Sequence, residues 1–431
     1  SLLAGRVGDR ARSPLAWFGL VEIGIGVTAF ASPLALDALQ QVYVWVHPSL
    51  AGSPVLLATG RFLCASAILL VPTMLMGATL PLVVKSSIAG GQGLGTRVSL
   101  LYAANTTGAI AGALAAGFAL VPLLGLRASF SVAAALNLLV GLAAIVVARR
   151  LGPGTAGGPA DVPATAGRGA PEPGEALSVG ARRSVLAVFA LSGFVSLALE
   201  VVWFRVLVLF LGPTTYAFTV MLAAVLAGIA IGSYVVAPFM RRRWDWLAVL
   251  AALEFALAVC ALLSFFGLTH AFALVDALAA WLGVDPRNHF TVSVVLSFVA
   301  IFPATLVMGM AFPVGLRLWA SGDAGDEHVA SRVGVFYSLN VCGAIAGSLA
   351  AGFVLLPSVG SRGSLWLLAG LTAAGAALLA WLLAGGARRA LVLGGGLLAT
   401  ALAALTVPDP FVFALERLHR GERELWREEG V

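Results

Sequence analysis

Charge is what this sequence has least of. Only 11% of its 431 residues are Asp, Glu, Lys or Arg, against 60% hydrophobic. A soluble domain carries about 25% charged residues, so the chain lacks the polar surface that a water-exposed globule needs. Cysteine is scarce too. Cys64, Cys260 and Cys342 each lie inside an apolar stretch and form no CxxC pair, which excludes a disulfide framework or zinc ribbon and leaves small packing residues. The histidines are scattered, without HExxH or another ligand spacing, so no metal site is expected. The glycine run GGQGLG (90–95) follows no strand and lacks the GxGxxG spacing of a nucleotide fingerprint. The formal net charge of +6 is not gathered into a basic face interleaved with aromatics, which excludes nucleic acid as a partner. No cleavable signal is evident at the start, where Arg6, Asp9, Arg10 and Arg12 precede the first apolar run.

What the sequence does have is runs long enough to span a bilayer, which takes about 20 apolar residues per helix. Eleven are expected, near 14–36, 54–84, 97–123, 128–148, 184–211, 214–239, 245–267, 289–317, 332–357, 364–384 and 390–406. Two amphipathic stretches, 37–52 and 269–286, are too polar to span and lie along the interface or form extramembrane helices. The segment 151–182, rich in Gly, Pro and Ala, cannot bury a core and reads as a flexible linker. The expected organisation is therefore a first bundle of four helices (1–150), the linker, a second bundle of six (183–386), one additional helix (387–407) and a polar tail (408–431). Arg6, Arg10 and Arg12, then Lys85 and Arg97, Arg149 and Arg150, Arg182 and Arg183, Arg241 to Arg243, Arg317 and Arg332, and Arg388 and Arg389 fall on one side if every span crosses. That side is the cytoplasm, by the positive-inside bias. The lipid bilayer is the first partner this composition implies.

The chain repeats itself. MGATLPLVVK (76–85) and RVSLLYAANTTGAIAGALAAGFALVPLLGLR (97–127) match MGMAFPVGLR (308–317) and RVGVFYSLNVCGAIAGSLAAGFVLLPSVGSR (332–362). Glu22 pairs with Glu254, Tyr102 with Tyr337 and Asn105 with Asn340. Gly108, Gly112 and Gly117 pair with Gly343, Gly347 and Gly352. Duplicated helical halves are a common plan among secondary transporters, and six spans per half make the repeat parallel. Ser1 aligns with Ser233, so the first half has no partners for residues 184–232, two helices. An N-terminally shortened first repeat is the expectation, with an incomplete duplication as the alternative.

The blocks LSGFVSLALEVVWFRVL (191–207), GPTTYAFTVMLAAVLAGIAIGS (212–233), PATLVMGMAFPVGLR and FYSLNVCGAIAGSLAAGFVLLP resemble the membrane region of bacterial fused major-facilitator-like/spermidine synthases, over almost the whole chain. The resemblance implies an all-α polytopic bundle of the bacterial cytoplasmic membrane with a major-facilitator-like repeat. It also implies a soluble aminopropyltransferase-like domain after the last helix, beginning in a β-hairpin. PDPFVFALERLHRGERELWREEGV (408–431) looks like the approach to that hairpin. The Gly-rich loop and acidic residues that would hold the aminopropyl donor are not in this chain, so no catalytic residue and no cofactor is expected here. Partners so implied are the chain's own synthase-like domain and other membrane proteins.

A carboxylate at the centre of a membrane helix costs about 2.5–3.5 kcal/mol on insertion scales. Glu22, Glu254 and Glu200 are therefore candidate cation or proton sites, and amines such as polyamines need carboxylate partners. The alternative is an interhelical ion pair or hydrogen bond, strongest for Glu200 with Arg205 nearby. Asn105 and Asn340 each follow a tyrosine, Tyr102 or Tyr337, by one turn and share its face. They bind substrate or hold helices together. Arg61 is expected to snorkel toward the interface. The two glycine stripes are expected to pack helices, GAIAG having GxxxG spacing.

Overall fold

The computed structural model describes residues 2–50, 53–87, 94–151, 177–212, 214–283, 289–320 and 329–418. All regular structure among them is helical. In lipid every backbone N–H and C=O must be satisfied within its own segment, and a helix does that without a neighbour. Nine helical stretches among the described residues are long and apolar enough to cross a membrane.

The difference from eleven has a local cause. Two stretches, Leu100–Arg150 and Ser331–Trp381, run for 51 residues each and take in two expected spans apiece. In the first, α4 (Leu94–Ala115) passes through a π segment, Ala116–Leu120, into α5 (Val121–Leu151). In the second, α10 (Val329–Ala350) passes through a π segment, Ala351–Leu355, into α11 (Leu356–Trp381). Each path breaks at a glycine, Gly125 (φ 77°, ψ 171°) and Gly360 (φ 68°, ψ −178°). A side chain in that region of backbone space is strained, and glycine alone enters it freely.

The amphipathic stretches are not separate elements. They form the ends of α2 (Pro14–Leu50) and α8 (Trp246–Leu282), both 37 residues long. Residues 51–52 and 284–286 lie outside the described set. Both helices start at a capping side chain: Ser13 Oγ accepts from the Ala16 amide at 3.3 Å, and Asp245 Oδ1 from the Ala248 amide at 3.2 Å. Such caps satisfy amides that the first turn leaves without partners.

The helices form two compact units. The first comprises Ser1–Gly91, Phe118–Gly169 and Ala324–Ser338, and the second Gln92–Gly117, Ala170–Asp323 and Leu339–Val431. This cuts across the bundles drawn from sequence: α4 belongs with the second unit, and the first turns of α10 with the first.

In the first unit α2 packs against α5 and against α3 (Pro54–Ser87). Gly19 and Gly141 bring α2 and α5 together, a Cβ on either meeting the other's carbonyl oxygen at 2.6 Å. The short α1 (Leu2–Arg10) places Asp9 within 3.6 Å of Lys85 Nζ, and Asp9 also accepts from the Ser331 amide at 2.9 Å.

In the second unit α7 (Thr215–Val236) and α9 (His289–Ala320) make the tightest helix pair. A Cβ at Gly232 would lie 2.1 Å from the Leu306 carbonyl oxygen, and Ser233 Oγ donates to the Gly309 carbonyl at 2.8 Å. The core runs along α6 (Val179–Leu211), where Phe189, Leu199, Val202 and Trp203 are buried. Trp203 Nε1 donates to Ser264 Oγ on α8 at 3.0 Å. Next to α8 stands α12 (Gly386–Leu405), whose Gly396 sits against the Phe255 ring. Of the 151–182 linker, residues 152–176 lie outside the described set, and Ser178 caps α6 by accepting from the Ala181 amide. Of the tail, 410–418 form the short α13 (Pro410–Leu418), capped by Asp409, and 419–431 lie outside the described set.

Candidate functional site

Glu254 stands in the third turn of α8, in the interior of the second unit, with 1% of its surface exposed. The Ser192 side chain on α6 hydrogen-bonds its carboxyl group. Carboxylate Oε1 is buried with no hydrogen-bond partner. No ion pair among the described residues involves it. A buried polar oxygen left unmatched costs about 1–3 kcal/mol, so the site holds acceptor capacity that the protein does not use. Ser192 stood inside the LSGF block but was not singled out from sequence, because a lone serine in an apolar run carries no signal of what faces it.

Glu22, the repeat mate of Glu254, lies on α2 of the first unit and is half-buried. Equal places in the sequence thus have unequal surroundings. Glu200 on α6 is also half-buried and forms no ion pair with Arg205. Helix geometry gives the reason: five residues at 3.6 per turn put the two side chains about 140° apart.

Asn340 on α10 donates from Nδ2 to the Phe189 carbonyl on α6 at 3.0 Å. Around it the helices nearly touch. A Cβ at Gly343 would lie 1.9 Å from the Ala190 carbonyl oxygen, and one at Gly347 2.0 Å from that of Phe194. Gly352 has nothing within 4 Å. Tyr337 is half-buried on α10.

On α4 the matching residues have other surroundings. Tyr102 stacks on Phe312 of α9, ring centroids 4.3 Å apart, and Gly117 sits against Thr219 of α7. Asn105 is exposed, and Gly108 and Gly112 have nothing within 4 Å.

Arg61 lies in the first unit beside a groove of ≈ 440 Å³ lined by Leu36, Leu39, Tyr43, Leu57 and Cys64. Its guanidinium stacks over the Tyr43 ring, 4.4 Å from the centroid, and donates to the Tyr43 hydroxyl. The groove walls are apolar, and Arg61 occupies its own polar neighbour. No group of three or more His, Cys, Asp or Glu side chains among the described residues is arranged to hold a metal ion.

No family model matches the chain, and neither does any curated protein or solved structure.

Proposed function

We propose that this chain is the membrane bundle of a spermidine synthase-like fusion protein of the bacterial cytoplasmic membrane, and that it binds a small organic cation such as a polyamine at Glu254. The observation that carries the reading is the buried carboxylate whose Oε1 has no partner and which no Lys or Arg neutralises among the described residues. A protonated amine supplies both missing items, a donor and a positive charge. Charge-assisted hydrogen bonds are roughly twice as strong as neutral ones.

The same reading takes eleven crossings in a parallel, major-facilitator-like repeat. It is supported by length. A straight 51-residue helix is about 76 Å long, more than twice the ~30 Å hydrocarbon core. A reversal near Gly125 and near Gly360 turns each long stretch into two crossings of ordinary length. The matched positions of the π segments, Ala116–Leu120 and Ala351–Leu355, support the repeat.

A second reading, a membrane scaffold that carries no substrate, is favoured by the close packing around Glu254, which is 1% exposed. Equilibrium binding of radiolabelled spermidine to the purified protein separates the two. The cation reading expects saturable binding lost in Glu254→Gln and retained in Glu200→Gln. The scaffold reading expects no saturable binding to either, with Glu254→Gln as stable as the parent or more so.

A further inference from the structure

The face of α6 that meets Glu254 carries more oxygen than that contact uses. Ser192, Ser196, Leu199 and Trp203 follow one another at steps of three or four residues, so they share one side of the helix. Val185, two turns before Ser192 on the same side, is 0% exposed, and Leu199 and Trp203 are 0% and 2% exposed. Ser192 and Ser196, between them, are only half-buried. A serine is smaller than any of these neighbours, so the packing that closes over Val185, Leu199 and Trp203 leaves free space at both serines.

Three helices bring groups with spare capacity to this place. From α8 comes Glu254, whose carboxyl group the Ser192 side chain holds by a hydrogen bond and whose Oε1 has no partner. From α6 comes Ser196, whose Oγ donates to Met308 Sδ on α9 at 3.4 Å and accepts nothing among the described residues. A hydroxyl has two lone pairs to offer, and a thioether is only a weak acceptor in return. Met308 is half-buried, unbranched and flexible, a side chain that shapes itself to what lies against it.

We infer that Ser196 is the second polar anchor of the Glu254 site, and that the site takes a linear diamine unit whose nitrogens stand about 5–6 Å apart. The inference rests on the reading of Glu254 as a cation site and specifies the length of what binds there. One ammonium sits on Glu254 Oε1 beside Ser192. The second nitrogen donates to Ser196 Oγ one turn along α6, where side chains four residues apart are about 5–6 Å from each other. An extended chain advances about 3.6 Å per three bonds, which puts about 5–6 Å between two nitrogens separated by three or four methylenes. Those methylenes lie against Met308. A lone ammonium or a metal ion at Glu254 leaves Ser196 unused, and a diamine of twice the length carries its second nitrogen past it.

The test is displacement of radiolabelled spermidine from the purified full-length protein by putrescine, n-butylamine and 1,8-diaminooctane. Putrescine matches the spacing, butylamine has one nitrogen, and diaminooctane has two nitrogens set too far apart. The parent protein should bind putrescine about tenfold more tightly than either of the others, the ratio that one hydrogen bond to a charged group supplies. Ser196→Ala should weaken putrescine by about tenfold and leave butylamine and diaminooctane unchanged. Ser196→Cys keeps the side-chain volume and should act in the same way, and thermal unfolding of both variants checks that the fold is retained. Putrescine binding indifferent to both substitutions, with spermidine binding still lost in Glu254→Gln, would overturn the inference and keep the cation reading. An equal loss for all three amines would overturn it too, because Ser196 would then shape the site without meeting a second nitrogen. Absence of saturable spermidine binding to the parent would remove the cation reading itself, and this inference with it.

Discussion

Replacing Gly347 by alanine tests the packing logic of the second unit. The added Cβ would sit 2.0 Å from the Phe194 carbonyl oxygen and 2.7 Å from its carbonyl carbon, both backbone atoms that cannot swing aside. Ordinary contact begins near 3.4 Å, so α6 and α10 must part by about 1.4 Å at this point. Such overpacking costs typically 1–3 kcal/mol. The parting also stretches the Asn340–Phe189 hydrogen bond from 3.0 Å beyond useful range, which adds about 0.6 kcal/mol on the membrane-protein average. The expected total is about 2–4 kcal/mol. Gly352→Ala is the matched control one and a half turns on, with nothing within 4 Å of its Cβ. Alanine is favoured over glycine in a helix by about 1 kcal/mol, so this variant should be neutral or slightly more stable. Reversible unfolding in mixed micelles of mild detergent and dodecyl sulfate measures both. Equal destabilisation of the two variants, or a loss at Gly347 below about 0.5 kcal/mol, would refute the reasoning.

Three further outcomes follow from single contacts. Gly360→Ala forces a side chain into a backbone region that glycine nearly monopolises and should cost about 1–3 kcal/mol, read in the same unfolding assay. Trp203→Phe removes the 3.0 Å bond to Ser264 at a cost of about 0.6–1.7 kcal/mol; the Ser264→Ala loss should not add to it, as a double-mutant cycle reports. Arg61→Met deletes the stack on Tyr43 and its hydrogen bond. Arg61 is exposed and Tyr43 only half-buried, so the loss should stay within about 1 kcal/mol.

Much of the fold was readable because membrane insertion writes itself into composition. Apolar runs of bilayer length became helices, and the matched segments adopted matched conformations down to the glycine breaks at 125 and 360. The π segments were not readable, because Ala-Gly-Phe carries no signal against an ordinary helical turn. Nor were the ends of α2 and α8, where a fall in hydrophobicity, and in α2 also Pro33, looked like the end of an element although the helix runs on. The site was legible in kind and not in place. Sequence ranks Glu22 and Glu254 alike, yet burial depends on what the neighbouring helices contribute, and Ser192 and the α6 core enclose Glu254 alone. The glycine stripes divide for the same reason: identical spacing meets α6 at Gly343 and Gly347 and nothing at Gly108 and Gly112.

The central claim, that Glu254 receives a cation, is tested most directly by carbodiimide labelling. A hydrophobic carbodiimide reacts with protonated carboxyls inside membranes, and peptide mass spectrometry locates the adduct. Labelling at Glu254 that spermidine suppresses in a saturable manner, with labelling at Glu200 unaffected, is the result this account predicts. Labelling of Glu254 that no amine suppresses, or a Glu254 inert under conditions that label Glu22, would contradict it and leave the scaffold reading.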